Sequence, residues 1–230
     1  MKQNIFVQTG NVREFIHVAE SLHNVEAGVP GMGLVHGVKG LGKTTVAIYY
    51  ASQKSNRAVY VRGKRDWTYN WMMEELLIEL NATPRRGNKD KFDDLVTALV
   101  EEPRLIIIDE TNTIKTPLLE TLRSVHDMTH NPLLFIGHEG VVDGLLRLGP
   151  FWDRLLYKAE LKPLTLADLI AYCREALEVP IDGGVLEALL KKTGGNFRKS
   201  VVELKNLEDD AKLSRAACIH AKTLQAVHFT

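Results

Sequence analysis

Residues 37–44 read Gly-Val-Lys-Gly-Leu-Gly-Lys-Thr, which matches the pattern GxxxxGK[ST] at every position. An apolar segment precedes this loop and a helical pattern follows it, so the motif stands between a strand and a helix. Glycines allow backbone N–H groups to turn inward around phosphate oxygens, and the start of the helix adds a partial positive charge. The motif therefore predicts a nucleoside triphosphate site, whereas an ordinary glycine-rich turn would need neither the lysine nor the threonine.

The loop also predicts what its residues do. We expect Lys43 to reach the β- and γ-phosphates and the Thr44 hydroxyl to hold Mg²⁺, with ATP as the nucleotide. The residues expected to contact the nucleotide here are Gly37, Val38, Lys39, Gly40, Leu41, Gly42, Lys43, Thr44 and Thr45.

Strand and helix patterns alternate over the first part of the chain. The strands are predicted at 32–36, 57–61, 105–108, 133–137 and 156–161. The helices are predicted at about 11–22 (with Asn11 as its N-cap), 43–53, 69–80 and 91–101. A further helix is predicted to start at Thr116-Pro117, with Thr116 as its cap and Pro117 in its first turn. Such alternation indicates a three-layer αβα domain with a parallel five-stranded sheet, over residues 1–161.

After Pro163 every pattern is helical, at about 166–178, 183–192, 197–208 and 212–226. These segments predict a small C-terminal helical lid domain over residues 162–230, of a size that needs a neighbour to pack on.

Two carboxylates follow the most apolar predicted strand. Residues 105–108 are Leu-Ile-Ile-Ile, and Asp109 and Glu110 come directly after them. An Asp at the tip of a buried strand beside a phosphate loop can hold Mg²⁺, and the adjacent Glu can polarise a water molecule aimed at the γ-phosphate. The pair therefore predicts hydrolysis, because a kinase of small molecules takes its nucleophile from the substrate.

Four further side chains are candidates for the γ-phosphate. His138 follows the fourth strand, where a polar side chain could sense the phosphate or orient water. Arg154 precedes the fifth strand and is the candidate arginine finger that one subunit supplies to its neighbour, with Arg147 as the alternative. Arg198 opens a helix of the tail and could fold back over the phosphates. A surface salt bridge or an ordinary loop position remains the competing interpretation for each.

Composition limits the other classes of function. Lys and Arg total 29, and Asp and Glu also total 29, so no polybasic coat is available to grip nucleic acid by charge alone. No apolar run is long enough to span a membrane and the first residues lack a signal peptide, so we expect a cytoplasmic protein without a membrane partner. The two cysteines, Cys173 and Cys218, suit a reducing compartment.

The motifs together resemble AAA+ ATPases over nearly the whole chain: residues 37–44, LIIIDE at 105–110, the polar residue after strand four, the arginine before strand five and GNFR at 195–198. A narrower resemblance is to transposition ATPases of the phage Mu transposition protein B, TnsC and TniB type. It rests on FVQTGNVREF, LVHGVKGLGKTT, LLETLRSVHDMTHNPLLFIGHEG and LKPLTLADLIAYC.

The resemblance implies an ATPase that forms a homo-oligomer, a ring or a helical filament, on duplex DNA and selects target DNA for a transposase. It also implies that Lys64 and Arg65, after the second strand, touch DNA phosphates, and that the protein acts in a bacterial cell or a phage-infected host. Secretion ATPases of the ExeA type share much of the pattern, so an ATPase that acts on protein partners is the alternative. A monomeric P-loop kinase is a third interpretation.

Overall fold

Five parallel strands form one sheet in a computed structural model that describes residues 1–2, 5–26 and 28–220. The strands are β1 (Met32–His36), β2 (Ala58–Arg62), β3 (Leu105–Asp109), β4 (Leu133–Ile136) and β5 (Leu155–Glu160). Their order across the sheet is β2-β3-β4-β1-β5, and every neighbouring pair is parallel. The predicted αβα class with a parallel five-stranded sheet is therefore confirmed.

The helices connect these strands and then continue alone. The first seven are α1 (Gly10–His23), α2 (Lys43–Ser52), α3 (Tyr69–Glu79), α4 (Asn88–Glu101), α5 (Thr116–Thr129), α6 (Val141–Leu146) and α7 (Gly149–Trp152). The last three are α8 (Leu166–Ala176), α9 (Gly183–Thr193) and α10 (Phe197–Leu213). In the described part of the chain no helix is both long and apolar enough to cross a membrane.

The chain divides into two compact units. The sheet unit comprises Phe15–Gly37 and Lys43–Glu160, and the helical unit comprises Met1–Glu14, Val38–Gly42 and Leu161–Thr230. The helical unit thus contains five residues of the phosphate loop and the start of α1 as well as the predicted lid segment. The domain division after residue 161 stays a prediction.

Alternation along the strands builds the core of the sheet unit. Leu34, Ile106, Ile108 and Phe135 face α3, α4 and α5, and none of these four side chains is exposed to solvent. Residues of the opposite parity face α1 and α2; a Cβ on Gly33, for example, would come 2.9 Å from Leu22 of α1. Helices therefore cover both faces, which is why the inner strand β4 and residues 105–108 of β3 are continuously apolar and buried.

The helical unit has its own apolar core. Side chains of α8, α9, α10 and the residues that flank α8 form it: Leu164, Leu169, Cys173, Leu177, Leu186, Leu189 and Leu204. Thr165 and Asp168 form a capping box at the start of α8, and Asp182 and Asn196 cap α9 and α10. Burial raises the pKa of the Cys173 thiol to about 12, so the thiol keeps its proton at neutral pH and packs as an apolar side chain.

Several predicted helix ends were wrong. Helix α1 begins at Gly10, whose N–H donates to Asp168 Oδ1 at 2.7 Å, so Asn11 is not its cap. Asn11 instead exchanges two hydrogen bonds with the backbone of Lys162. The cap of α5 is Lys115 rather than Thr116.

The predicted helix at 212–226 was also wrong over its described part. Helix α10 runs on to Leu213, and residues 214–220 form turns and a single bridge between Ile181 and Ile219. Residues 221–226 lie outside the described residues. The short helices α6 and α7 were not predicted; α7 buries Phe151 against Phe135, with ring centres 5.1 Å apart.

Candidate nucleotide-binding and hydrolysis site

The phosphate loop has the backbone that an anion cradle requires. Gly37, Gly40 and Gly42 have φ angles of 141°, 86° and 90°, in the range that L side chains rarely adopt. Among the described residues, the N–H groups of Gly40, Leu41 and Gly42 donate to no protein acceptor. Backbone donors without partners, beside the N-terminus of α2, are ready to bind phosphate oxygens.

The remaining predicted loop residues fall into two groups. Lys43 and Thr44 open α2 and are half-buried, and Lys43 Nζ donates to the Gly37 carbonyl at 2.7 Å. Val38, Lys39 and Thr45 are exposed, whereas Leu41 is buried.

Thr44 and Asp109 meet although 65 residues separate them in sequence. The Thr44 hydroxyl donates to Asp109 Oδ2 at 2.6 Å. Asp109 ends β3 and is 3% exposed. Its other oxygen accepts from the Glu110 N–H at 2.7 Å, so the carboxylate is held from both sides.

Strand β2 supplies two residues that the sequence reasoning missed. The Tyr60 hydroxyl donates to Asp109 Oδ2 at 3.0 Å, and Arg62 lies 3.3 Å from Glu110 Oε1. Burial, and then the charge of Asp109, raise the pKa of Tyr60, so its hydroxyl keeps its proton as a donor. The only signal in the sequence was the i, i+2 spacing of two polar side chains on a strand beside β3.

Glu110 has a strained backbone. Its φ and ψ are 54° and 38°, in the left-handed region that a non-glycine residue occupies at a cost. The Thr113 N–H donates to the Glu110 carbonyl at 2.8 Å and closes a short 3₁₀ turn. The side chain is 35% exposed and so can reach water.

The donor set around Thr44 fits a magnesium ion. A hydroxyl and a carboxylate are the hard oxygen ligands that Mg²⁺ takes together with water and phosphate oxygens. The described residues contain no group of three or more His, Cys, Asp or Glu side chains that could hold a metal by themselves. A metal at Thr44 and Asp109 would therefore depend on the nucleotide for further ligands, as Mg²⁺ commonly does.

His138 lies after β4 and is fixed by its neighbours. The backbone N–H of His138 donates to Asn112 Oδ1 at 2.9 Å, and its ring atom Nδ1 accepts from the Gly140 N–H at 3.2 Å. The ring proton of the neutral side chain is therefore assigned to Nε2, which leaves Nε2–H as a possible donor. Asn112 is a further residue that the sequence reasoning missed.

A family model described as an AAA domain matches residues 27–145, which is more than half of the chain. The chain belongs to the AAA family. The family and the P-loop αβα fold identify it as an AAA+ ATPase domain. No curated protein sequence matches it significantly.

Solved structures with the same AAA+ fold include three proteins that are 14–21% identical to this chain. The ORC1 protein of Aeropyrum pernix, solved in complex with DNA, has 14% identity and a TM-score of 0.68 over 96% of this chain and 65% of that chain. The ORC2 protein of Aeropyrum pernix, solved as ADPNP–ADP complexes, has 18% identity and a TM-score of 0.74 over 98% and 69%. The RuvB Holliday junction branch migration motor of Thermotoga maritima has 21% identity and a TM-score of 0.61 over 98% and 71%. The AAA+ chain thus spans about two thirds of the length of each.

Arg198 and Arg154 occupy different surroundings in this AAA+ domain. Arg198 lies in the first turn of α10 with an exposed side chain, and its N–H donates to the Gly40 carbonyl at 3.0 Å. Arg154 is 34% exposed and its Nε lies 3.1 Å from Asp127 Oδ1 of the same chain. Arg147 is exposed and makes no ion pair or hydrogen bond within the described part of the chain.

Lys64 and Arg65 follow β2, but only one of them is unengaged. Lys64 forms an ion pair with Glu75 and lies 4.7 Å from the centre of the Trp71 ring. Arg65 is exposed and has no partner among the described residues. Trp67, whose Nε1–H donates to Glu75, is a core residue, whereas Trp71 is 40% exposed.

Proposed function

We propose that this chain hydrolyses ATP to ADP and phosphate with Mg²⁺. The hydrogen bond from the Thr44 hydroxyl to Asp109 carries the proposal, because it joins the predicted metal ligand of the loop to the carboxylate that ends β3, next to Glu110. When bound, Mg²⁺ would supply positive charge to the β- and γ-phosphate oxygens. Lys43 would give up the Gly37 carbonyl and bind the same oxygens, and the unpaired loop N–H groups would cradle the phosphates.

Glu110 would orient the attacking water and accept its proton. Its partial exposure supports this role, since water can reach the carboxylate, and the exposed Arg62 contact is too weak to lock it in place. His138 would offer its Nε2–H to the γ-phosphate or to the water, and Arg198 would bind the phosphates from the start of α10.

A second subunit would complete each site. We assign the arginine finger to Arg154, which would exchange Asp127 of its own chain for the γ-phosphate bound by a neighbour. Arg147 is the alternative, and the lack of a partner for it among the described residues is in its favour. A shared site of this kind makes hydrolysis depend on assembly into a ring or a filament.

Duplex DNA is the proposed partner for the assembly. The exposed Arg65 supports this, because phosphate contacts supply most non-specific affinity and a chain of zero net charge must make them with local basic residues. The ORC1 structure in complex with DNA has the same fold, which is compatible with this proposal. The resemblance of residues 6–15, 34–45, 118–140 and 161–173 to transposition ATPases supports the finer proposal that the assembly selects target DNA for a transposase.

Electron microscopy and salt titrations with random duplex DNA test the proposal. We expect assemblies on DNA with ATP, weaker binding as salt rises, and neither with ADP or in a Lys43→Ala variant, which loses the phosphate contact. Assembly with ATP but without DNA binding would favour protein partners, as in the secretion-type ATPases. A chain that stays monomeric with ATP and DNA would contradict the proposal and favour a kinase. A transposase encoded by a neighbouring gene should join more donor ends to DNA that carries the assembly than to bare DNA.

A further inference from the structure

Asn196 contacts the phosphate loop through a side chain that also caps a helix. Its Oδ1 accepts from the Lys199 N–H at 3.1 Å, which is the N-cap bond of α10. Its Nδ2 donates to the Lys39 carbonyl at 2.8 Å. Two residues further on, the Arg198 N–H donates to the Gly40 carbonyl at 3.0 Å. The start of α10 therefore holds two successive carbonyl groups of the loop, all within the helical unit.

These two contacts determine where the loop N–H groups point. In a trans peptide the C=O of one residue and the N–H of the next point in opposite directions. A Lys39 carbonyl held towards Asn196 therefore turns the Gly40 N–H away from α10. A Gly40 carbonyl held towards the Arg198 N–H turns the Leu41 N–H away in the same manner. Both N–H groups are among those that have no acceptor in the described part of the chain.

The approach is close enough to restrict the loop sequence. A Cβ on Gly40 would lie 2.5 Å from Asn196 Oδ1, so no side chain fits between the loop and the helix cap. Gly40 also has a φ of 86°, which a larger residue would adopt only with strain. The glycine thus serves the contact with Asn196 as well as the turn of the loop.

We propose that Asn196 is a positioning residue that holds the Lys39–Gly40 peptide so that the Gly40 N–H faces the nucleotide phosphates. It orders the donor before nucleotide arrives, so binding loses less entropy than it would with a peptide free to rotate. This inference rests on the proposed nucleotide site. It gives the helical unit a second role in phosphate binding, the orientation of a loop peptide, in addition to the proposed contact of the Arg198 side chain.

Asn196→Ser separates the two functions of the side chain. Serine caps a helix about as well as asparagine, but it is too short to reach the Lys39 carbonyl and carries no charge. We expect ATP and ADP to bind about two- to tenfold more weakly, as for the loss of one ordinary hydrogen bond, with the cap of α10 retained. The ¹⁵N order parameter of the Gly40 amide should fall in the nucleotide-free variant, a change that a purely structural cap would not cause.

Asp182→Ser is the matched control, since Asp182 caps α9 through the Gly184 N–H and belongs to the same unit. It should bind nucleotide like the wild type. Asn196→Asp keeps the cap but places a carboxylate against the Lys39 carbonyl, so it should bind more weakly than Asn196→Ser by a margin that shrinks as salt screens its charge. Wild-type affinity and an unchanged Gly40 order parameter in Asn196→Ser would overturn the inference alone. A wild-type chain that binds no ATP would overturn the proposed nucleotide site as well.

Discussion

At the scale of single residues, the hydrogen bonds of Asp109 concentrate three donors on one buried carboxylate. Thr44 and Tyr60 donate to Oδ2 and the Glu110 N–H donates to Oδ1. Ligand carboxylates are commonly oriented by partners of this kind, and loss of such a partner weakens metal binding. Of the three donors, only the Tyr60 hydroxyl is neither a predicted ligand nor a backbone group.

Tyr60→Phe should raise the Mg²⁺ concentration needed for tight ATP binding by about two- to tenfold, the effect of one lost hydrogen bond to the ligand carboxylate. A magnesium titration with a fluorescent ATP analogue measures this without turnover. Tyr157→Phe, on β5, is the control and should titrate like the wild type. Identical titrations for the two variants would exclude a role for Tyr60.

Glu110→Gln should bind ATP normally and lose at least about 100-fold in hydrolysis rate, because an amide cannot accept the proton of the attacking water. Phosphate release at saturating ATP measures the rate. Glu139→Gln changes an exposed glutamate in the loop after β4 and should keep the rate. A Glu110→Gln variant as fast as Glu139→Gln would move the catalytic base elsewhere.

At the scale of secondary-structure elements, His126 ties α5 to the start of β1. Its Nδ1–H donates to the Asn131 carbonyl at 2.7 Å, and its Nε2 accepts from the Gly31 N–H at 3.2 Å. Burial lowers the pKa of His126; the hydrogen bond to the Asn131 carbonyl and the charge of Asp127 oppose this shift, while His130 and Arg154 add to it. The folded chain therefore keeps this imidazole neutral at pH values where the unfolded chain protonates it.

The free energy of unfolding should fall as the pH drops below about 6.5, because His126 then binds a proton in the unfolded state but not in the native state. One such group contributes at most about 1.4 kcal/mol per pH unit, and its contribution is complete above the unfolded pKa. Urea unfolding between pH 5 and 8 measures it. His126→Gln should reduce the slope but keep the part due to His23, whose pKa burial also lowers. A His126→Gln slope equal to that of the wild type would contradict the assignment.

The segment after β2 should contact DNA through Arg65 more than through Lys64, which Glu75 and Trp71 engage. Arg65→Ala should weaken binding to all duplex sequences and reduce the slope of log affinity against log salt by about one, the effect of one lost phosphate contact. Fluorescence anisotropy over a salt series measures the slope. Lys192→Ala, which removes a lysine paired with Glu203 in the helical unit, is the control. An unchanged slope in Arg65→Ala would place the DNA contact elsewhere.

Local patterns predicted the elements, and long-range contacts limited the predictions. Strand β1 has the predicted bounds because Pro30 and Gly31 come directly before its apolar residues and the glycine loop comes directly after them. The bond that holds the first N–H of α1 could not be predicted, because its acceptor, Asp168, comes 158 residues after Gly10. Tyr60 and Asn196 were missed for the same reason: each acts on a group 49 or more residues away, and only the folded chain brings them together.

At the scale of the whole molecule, assembly would change the partner of Arg154. Arg154 and Asp127 both lie in the sheet unit, and the two side chains form an ion pair. In a single chain the charge of Arg154 is therefore paired within that chain. In an assembly, the same arginine would have a stronger anion to bind, since a triphosphate carries more charge than one carboxylate.

Arg154→Ala should bind ATP almost normally yet hydrolyse it at least about 1,000-fold more slowly, the scale of a lost arginine finger. Mixed with Glu110→Gln protein, it should regain activity, because a Glu110 of one subunit then meets an Arg154 of the other. ATPase assays over a range of mixing ratios measure this, with Arg147→Ala tested in parallel. Absence of recovery in proteins shown to co-assemble would contradict the shared site. Recovery only in mixtures of Glu110→Gln with Arg147→Ala would assign the role to Arg147.

The left-handed backbone of Glu110 costs folding stability at a position where the proposed activity needs a carboxylate. Glycine or asparagine would adopt a φ of 54° with less strain, by about 1 kcal/mol, but neither carries a carboxylate. A population of variants screened only for survival at high temperature should therefore drift away from glutamate at this position and accumulate durable, inactive chains. Thermal robustness and turnover are thus opposing demands on one residue, and a stabilised form of this ATPase has to gain its stability elsewhere.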